Sequence, residues 1–184
     1  MEVKGTAVKS IGEYVKKNYP SKYEDWLKSM PEESRSLFEK GILTNQWYPM
    51  RTAAIVPTKQ ICDMFFGGML EGAWQSGRYS AQVALTGIYK LYVMVSKPGH
   101  IIERASRIFA AYYSDSEIST ANKTANSVDV LITEFPQPNE MIEHRIAGWI
   151  EAAIELSGCK GVKVDISESK TKGQRRTVMN VKWN

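Results

Sequence analysis

The chain has 184 residues with a formal net charge of +4, 43% of them hydrophobic and 24% charged. That composition excludes a disordered or low-complexity polymer and suits one domain long enough to bury a core. Two cysteines, Cys62 and Cys159, stand far apart in no motif, which argues against a disulfide framework or a cysteine-built zinc site and points to a reducing cytoplasm.

The opening MEVKGTAVKS has no apolar core and is not expected to act as a signal peptide. Residues 5–18 predict a first helix, because Ala7, Val8, Ile11, Tyr14 and Val15 recur at helical spacing. Pro20 ends it, and Ser21-Lys22-Tyr23-Glu24 has the form of a capping box opening a short second helix to about Lys28. Pro31 followed by Glu32 and Glu33 opens a third, stopped by Gly41. Pro49 is expected as the first residue of the next helix, with Pro57 kinking or restarting it and Gly67-Gly68 ending it. Residues 69–95 read as one long helix with Leu70, Trp74, Ala81, Leu85, Ile88 and Tyr92 on one side. Its apolar run over 83–95 is 13 residues long and interrupted by Lys90, too short to span a bilayer. Ser96-Lys97-Pro98 caps a further helix reaching Tyr112, with Ile101, Ile102, Ala105, Ile108 and Phe109 inward.

The period then changes. SEIST and SVDVLITEF flank the Asn-rich ANKTAN, and Val128, Val130 and Ile132 alternate with Asp129, Leu131 and Thr133, which predicts a hairpin. Asn139 caps a helix carrying Ile142, Ile146, Trp149, Ile150, Ala153 and Ile154 on one face, and Gly158 closes it. KGVKVDIS and RRTVMNVKW form a second hairpin, with Gly173 available for a positive φ. The expected fold class is α+β: helices packed on a mainly antiparallel sheet built from a hairpin–helix–hairpin C-terminal half. The expected organisation is a single domain over 1–184, helical through 112 and hairpin–helix–hairpin over 113–184.

No phosphate-binding loop, dinucleotide fingerprint or Gly-x-Ser-x-Gly elbow is present. The two histidines, His100 and His144, have no second ligand at helical or turn spacing, so no metal site is expected. Cys159 follows a helix end, where the dipole opposes a thiolate. No acid, base or nucleophile can be nominated, which favours binding over catalysis.

Five features remain to be weighed. Trp47 and Tyr48 precede Pro49 in extended backbone, so their rings point to opposite sides; one staples the following helix to the core and the other faces a cavity or solvent. Trp47 is expected to carry stability in either arrangement. Trp74, Arg78 and Ala81 share a helical face; Arg78 is either a buried cation needing a carboxylate from protein or ligand, or a surface arginine packed on Trp74 or paired with Glu71. Tyr112 and Tyr113 end a helix, where a buried hydroxyl needs a partner that a ligand could supply. His100, just inside a helix start, is expected neutral and available in principle to a haem iron. The tip formed by Lys170, Lys172, Arg175 and Arg176 carries much of a C-terminal basic excess, seven Lys/Arg against two acids over 160–184, but lacks interleaved aromatics and reads as a solvated turn rather than a nucleic-acid surface.

With these residues in view, the layout resembles the superfamily of haem–nitric-oxide-binding domains, 4-vinyl-reductase-type domains and TRAPP vesicle-tethering subunits, nearest its bacterial members. The resemblance rests on QWYP (46–49), SGRYSAQVALTGIYK (76–90), PGHIIERASRIFAAYYSDSEI (98–118), RIAGWIEAAIELSGC (145–159) and a closing strand ending in Trp183. The haem branch is marked by a proximal histidine and a later Tyr-x-Ser-x-Arg. Here Tyr112 to Ser116 keeps Tyr and Ser but places Ser116 at the arginine position, and His100 sits too close upstream. The cysteine cluster of the 4-vinyl-reductase branch has no counterpart, and Cys62 is the nearest to the lipid-modified cysteine of some TRAPP subunits. The resemblance implies a cytoplasmic, non-enzymatic sensor or carrier of a hydrophobic small molecule bound near Trp47, Tyr48, Trp74, Arg78, Tyr112 and Tyr113. A dimerising, TRAPP-like interaction module stands second, built on the apolar faces of the first helices. Haem-based gas sensing through His100 stands third. The cofactor is left unassigned.

Overall fold

A computed structural model describes residues 1–85, 109 and 111–184. His100, most of the helix expected over 98–112 and the continuation of the long helix beyond Leu85 lie outside the described residues. The α+β expectation holds. Among the described residues six α-helices are followed or flanked by two antiparallel sheets, one of two strands and one of four in the order β3-β4-β6-β5. No helix among them is long and apolar enough to cross a membrane.

The chain opens with a short strand that periodicity did not disclose. β1 (Glu2–Lys4) pairs antiparallel with β2 (Trp47–Pro49), placing Val3 opposite Tyr48. On its other side Lys4 N–H donates to the Tyr112 carbonyl at 2.8 Å and Ser114 N–H to the Glu2 carbonyl at 3.0 Å. Three residues are too few to show alternation, yet their backbone groups stitch the N-terminus to two distant segments. α1 (Gly5–Asn18) follows as expected, with Ala7, Val8, Ile11, Tyr14 and Val15 all buried. These residues, and Trp26 and Leu27 of α2 (Tyr23–Lys28), belong to this chain's own core. The Ser21 capping box does not form: Pro20–Lys22 is a 3₁₀ turn that runs straight into α2, and the cap position, Lys22, makes no side-chain capping bond. Consecutive turns leave no extended cap residue for the serine to occupy. α3 (Glu32–Lys40) ends at Gly41 with φ 86°.

Pro49 closes β2 instead of opening a helix. The chain then makes a π-helical turn over Arg51–Ile55 before α4 (Val56–Phe66), in which Pro57 is the second residue. Proline has no N–H and crowds the carbonyl four residues back, and the wider π turn accommodates both defects. Of the two opening rings, Tyr48 is the inward one, 9% exposed, and its hydroxyl accepts from Leu43 N–H at 2.9 Å. Trp47 is 38% exposed with Lys4 Nζ 4.7 Å from its ring centroid, so the stability assigned to Trp47 belongs to Tyr48.

α5 (Glu71–Leu85) buries Ala81 and Leu85 as expected, but the rest of its inward stripe is small, Gly72, Ala73, Ser76, Gly77 and Ser80, and Trp74 is only half-buried. The reason is α6 (Glu140–Leu156), which crosses it so closely that a Cβ on Gly77 would collide with the Arg145 carbonyl, and one on Gly148 with the Trp74 carbonyl. Asn139 caps α6 as expected, its side chain accepting from Met141 and Ile142 N–H at 3.1 and 3.4 Å. The sheet comprises β3 (Glu117–Ala121), β4 (Ser127–Glu134), β5 (Lys163–Glu168) and β6 (Thr177–Lys182). Its register sets Val128 opposite Val181, Val130 opposite Met179 and Ile132 opposite Thr177, so one face presents a buried apolar row. Gly173 takes φ 82° in the connection between β5 and β6.

The crossing yields one test and the strand pair another. Gly77→Ala or Gly148→Ala should cost about 2 kcal/mol or more, lowering the thermal midpoint by roughly 4–8 °C for a chain of this size. Tyr48→Ala should cost about 3 kcal/mol, and Trp47→Ala under about 1 kcal/mol; urea titrations of the two variants would rank them.

Candidate functional site

The helical half and the sheet half meet at a cleft of about 20 Å³ bounded by Ala7, Ser80, Phe109, Tyr112, Tyr113, Arg145, Ile146 and Trp149. Three local arrangements put those side chains there. β1 holds the backbone of Tyr112–Ser114, with Val3 bridged to Tyr113, and so fixes the Tyr113 ring inward at 5% exposure. That ring packs at 4.8 Å from Phe109 and 5.6 Å from Phe135. α1 and α5 contribute small residues that leave room, and α6 contributes Arg145.

Arg145 is 3% exposed. Its Nη2 donates to the Ser10 hydroxyl at 2.8 Å and the Ala7 carbonyl at 3.1 Å, and its Nε reaches Ser76 Oγ at 3.4 Å. Ser10 in turn donates to the Ala7 carbonyl at 2.8 Å, with Ser80 Oγ 2.9 Å away. The Tyr113 phenol lines the same cleft and interacts electrostatically with the guanidinium. Burial pulls the arginine pKa below its ordinary value, with Tyr113 acting in the opposite sense. Burial pushes the Tyr113 phenol up, against the pull of Arg145. Both shifts follow from taking a charged form out of water. The guanidinium nevertheless stays protonated, because an arginine side chain is not deprotonated in proteins.

Of the six residues expected to bind ligand, Tyr112 and Tyr113 line this cleft. Tyr113 also borders a wide, open depression that contains Trp47 with Asp115, Glu117 and Glu134. Tyr48 is in the core. Trp74 and Arg78 lie elsewhere: the Trp74 N–H donates to Glu151 at 2.8 Å, and Arg78 pairs with Glu151 and, at 2.6 Å, with Glu155. Arg78 thus finds its carboxylates on α6 rather than at Glu71, and the pairing raises its pKa although burial opposes it. His144 is on the outer side of α6, its Nδ1 2.9 Å from the Glu140 carbonyl and its ring against Trp74. At the basic tip Lys170 Nζ is held by the Thr133 carbonyl at 2.6 Å and Arg176 by Glu168 at 3.1 Å.

Arg145 escaped the sequence reading. The signal was present: Ile142, Arg145, Ile146 and Trp149 recur at i, i+3, i+4 and i+7, so the arginine interrupts the apolar stripe it belongs to.

A helical half handing over to a four-stranded antiparallel sheet, with a cleft at the junction, is the H-NOX fold. The structure of the Fe(II) unliganded H-NOX protein from K. algicida superposes with a TM-score of 0.70 at 12% identity, over 98% of this chain and 96% of that one. The H-NOX protein from S. oneidensis in its Fe(II)NO state gives 0.73 at 8% identity, over 98% and 99%. No protein-family model and no curated protein matches the sequence, so the likeness is one of fold.

Alkaline pH should expose the buried phenols. Tyr14 and Tyr113 both have folded-state pKa values raised by burial, so above about pH 10, the unfolded value, the unfolded chain releases protons first. Stability is then full below about pH 10 and falls as pH rises towards the folded values. Urea unfolding between pH 8 and 11 should show this decline, and Tyr113→Phe should flatten it.

Proposed function

We propose that this chain is a non-enzymatic sensor domain for a hydrophobic small molecule, with its binding site at the cleft beneath Tyr112 and Trp149. The observation that carries the reading is the cleft wall itself. A fully buried guanidinium, surrounded by neutral groups, stands beside Phe109, Ile146 and Trp149 at the junction of the two halves. A core selected only for stability gains little from a buried arginine, since a well-packed apolar residue serves as well or better. The fold supports the same reading, because it extends over 98% of this chain and nearly all of the H-NOX chains it matches.

The solved neighbours include work on haem distortion in the H-NOX family. The described residues do not fit that group here. The cleft, about 20 Å³, has room for a small head group but not for a macrocycle. Ser116, at the position of the haem branch's arginine, donates to the Tyr113 carbonyl at 2.7 Å. Ser114 accepts from Glu2 N–H at 2.7 Å and donates to Asp115. Among the described residues His144 is the sole histidine, and it borders a separate groove with Trp74 and Asp165. We therefore read the ligand as a non-haem molecule, in a domain that works in the cytoplasm.

Native mass spectrometry of protein purified from its source should show a mass excess from a bound small molecule. Incubation with haemin should leave the Soret band at the position and intensity of free haemin. A shifted, stoichiometric Soret band would replace this reading with haem-based sensing.

A further inference from the structure

Two charged side chains are buried among the described residues, Glu143 and Arg145, and they are treated differently. Glu143 is enclosed by hydroxyl donors: Ser169 at 2.5 Å, Thr171 at 3.4 Å, and Thr177. Those bonds fasten the connection between β5 and β6 onto α6, and this carboxylate faces away from the cleft. Arg145 is given a carbonyl and two serine hydroxyls, with the Tyr113 phenol beside it, all neutral, and no carboxylate among the described residues pairs with it. Tyr113 does not supply the missing negative charge, because burial keeps its phenol protonated.

The geometry of the cleft says what would. Nε and both Nη2 hydrogens of Arg145 are committed to Ser76, Ala7 and Ser10, which leaves Nη1 for Tyr113 and an incoming acceptor. The space there, about 20 Å³, suits a head of a few atoms rather than a ring system. Tyr112 and Trp149, both half-buried, flank the outer side, with Ile146 and Phe109 deeper. The walls are therefore cationic at one point, with the hydroxyls of Ser80 and Tyr113 nearby, and mainly apolar elsewhere.

Resting on the small-molecule reading above, we propose that the cleft binds an apolar molecule ending in a carboxylate, with the carboxylate seated on the Arg145 guanidinium beside the Tyr113 hydroxyl and the apolar body lying against Tyr112 and Trp149. The desolvation of the arginine is already incurred in the folded chain, so an entering carboxylate gains charge-assisted hydrogen bonds to a pre-positioned donor. An uncharged head of the same size gains only neutral ones.

Isothermal titration of the full chain with decanoate and with 1-decanol tests this without any variant. Decanoate should bind at least about tenfold more tightly, the range expected of a hydrogen bond to a charged group. Equal affinities would overturn the carboxylate assignment while leaving the small-molecule reading in place. Failure of both probes to bind would overturn the small-molecule reading itself. Arg145→Met, checked for a native circular-dichroism spectrum and melt, should bring decanoate down to the level of decanol and leave decanol within about twofold. Arg145→Lys should keep part of the preference. A preference for decanoate that survives intact in folded Arg145→Met would place the anion elsewhere and sink the proposal.

Discussion

The contact of α5 with α6 through Gly77 and Gly148 governs the rest of this molecule. Each glycine lies against a backbone carbonyl of the opposite helix, Gly77 on Arg145 and Gly148 on Trp74. Two helices brought together in this way exclude bulky side chains from their interface, which explains why α5 turns glycines, serines and alanines inward. The same approach leaves Arg145 no path to solvent past α5. Its guanidinium extends along the interface to α1, where the Ala7 carbonyl and the Ser10 hydroxyl receive it. Larger side chains of α5 and α6 are displaced to the outer edge of the crossing, where Trp74, Arg78, Glu151 and Glu155 form an ion-paired rim.

The buried arginine then imposes its own requirements. Each of Ser10, Ser76 and Ser80 is buried, and each stands where an apolar residue would pack equally well but could not accept a hydrogen bond. Tyr113 completes the set from a distant part of the chain, and it arrives there because β1 ties its backbone to the N-terminus. Four segments remote in sequence therefore converge on one cation. A network of this kind is costly when incomplete, since a buried charge left short of donors or acceptors is more damaging than an apolar replacement. The neutral partners satisfy the hydrogen-bonding geometry of Arg145 without neutralising it, and this distinguishes the cleft from the α5–α6 rim, where every arginine contact is to a carboxylate.

Much of the architecture was legible in the chain. The span of α1, the Asn139 cap, the Gly41 and Gly67 stops and both C-terminal hairpins are local signals, set by side-chain periodicity, capping chemistry and positive φ. The misreadings share a cause. Ser21 has the right neighbours for a capping box but sits inside a continuous turn. Pro49 suits a helix start but closes a strand whose partner residues lie 43 to 47 positions earlier in the chain, at Glu2–Lys4. On α5 bulky residues were expected along the inward face, and the close approach of α6 gave most of it to small ones.

By itself the sequence determined where the longer described helices and the C-terminal strands lie and that helices precede hairpins, because these depend on neighbours within a few positions. It also placed Tyr112 and Tyr113 at a boundary between the two halves. Only the tertiary structure decided which residues share a site. It sent Arg78 to carboxylates on a neighbouring helix, Trp47 outward and Tyr48 inward, and Arg145 into the cleft. Those outcomes depend on how closely two helices approach and on a three-residue strand holding a distant tyrosine, distances that no local pattern encodes.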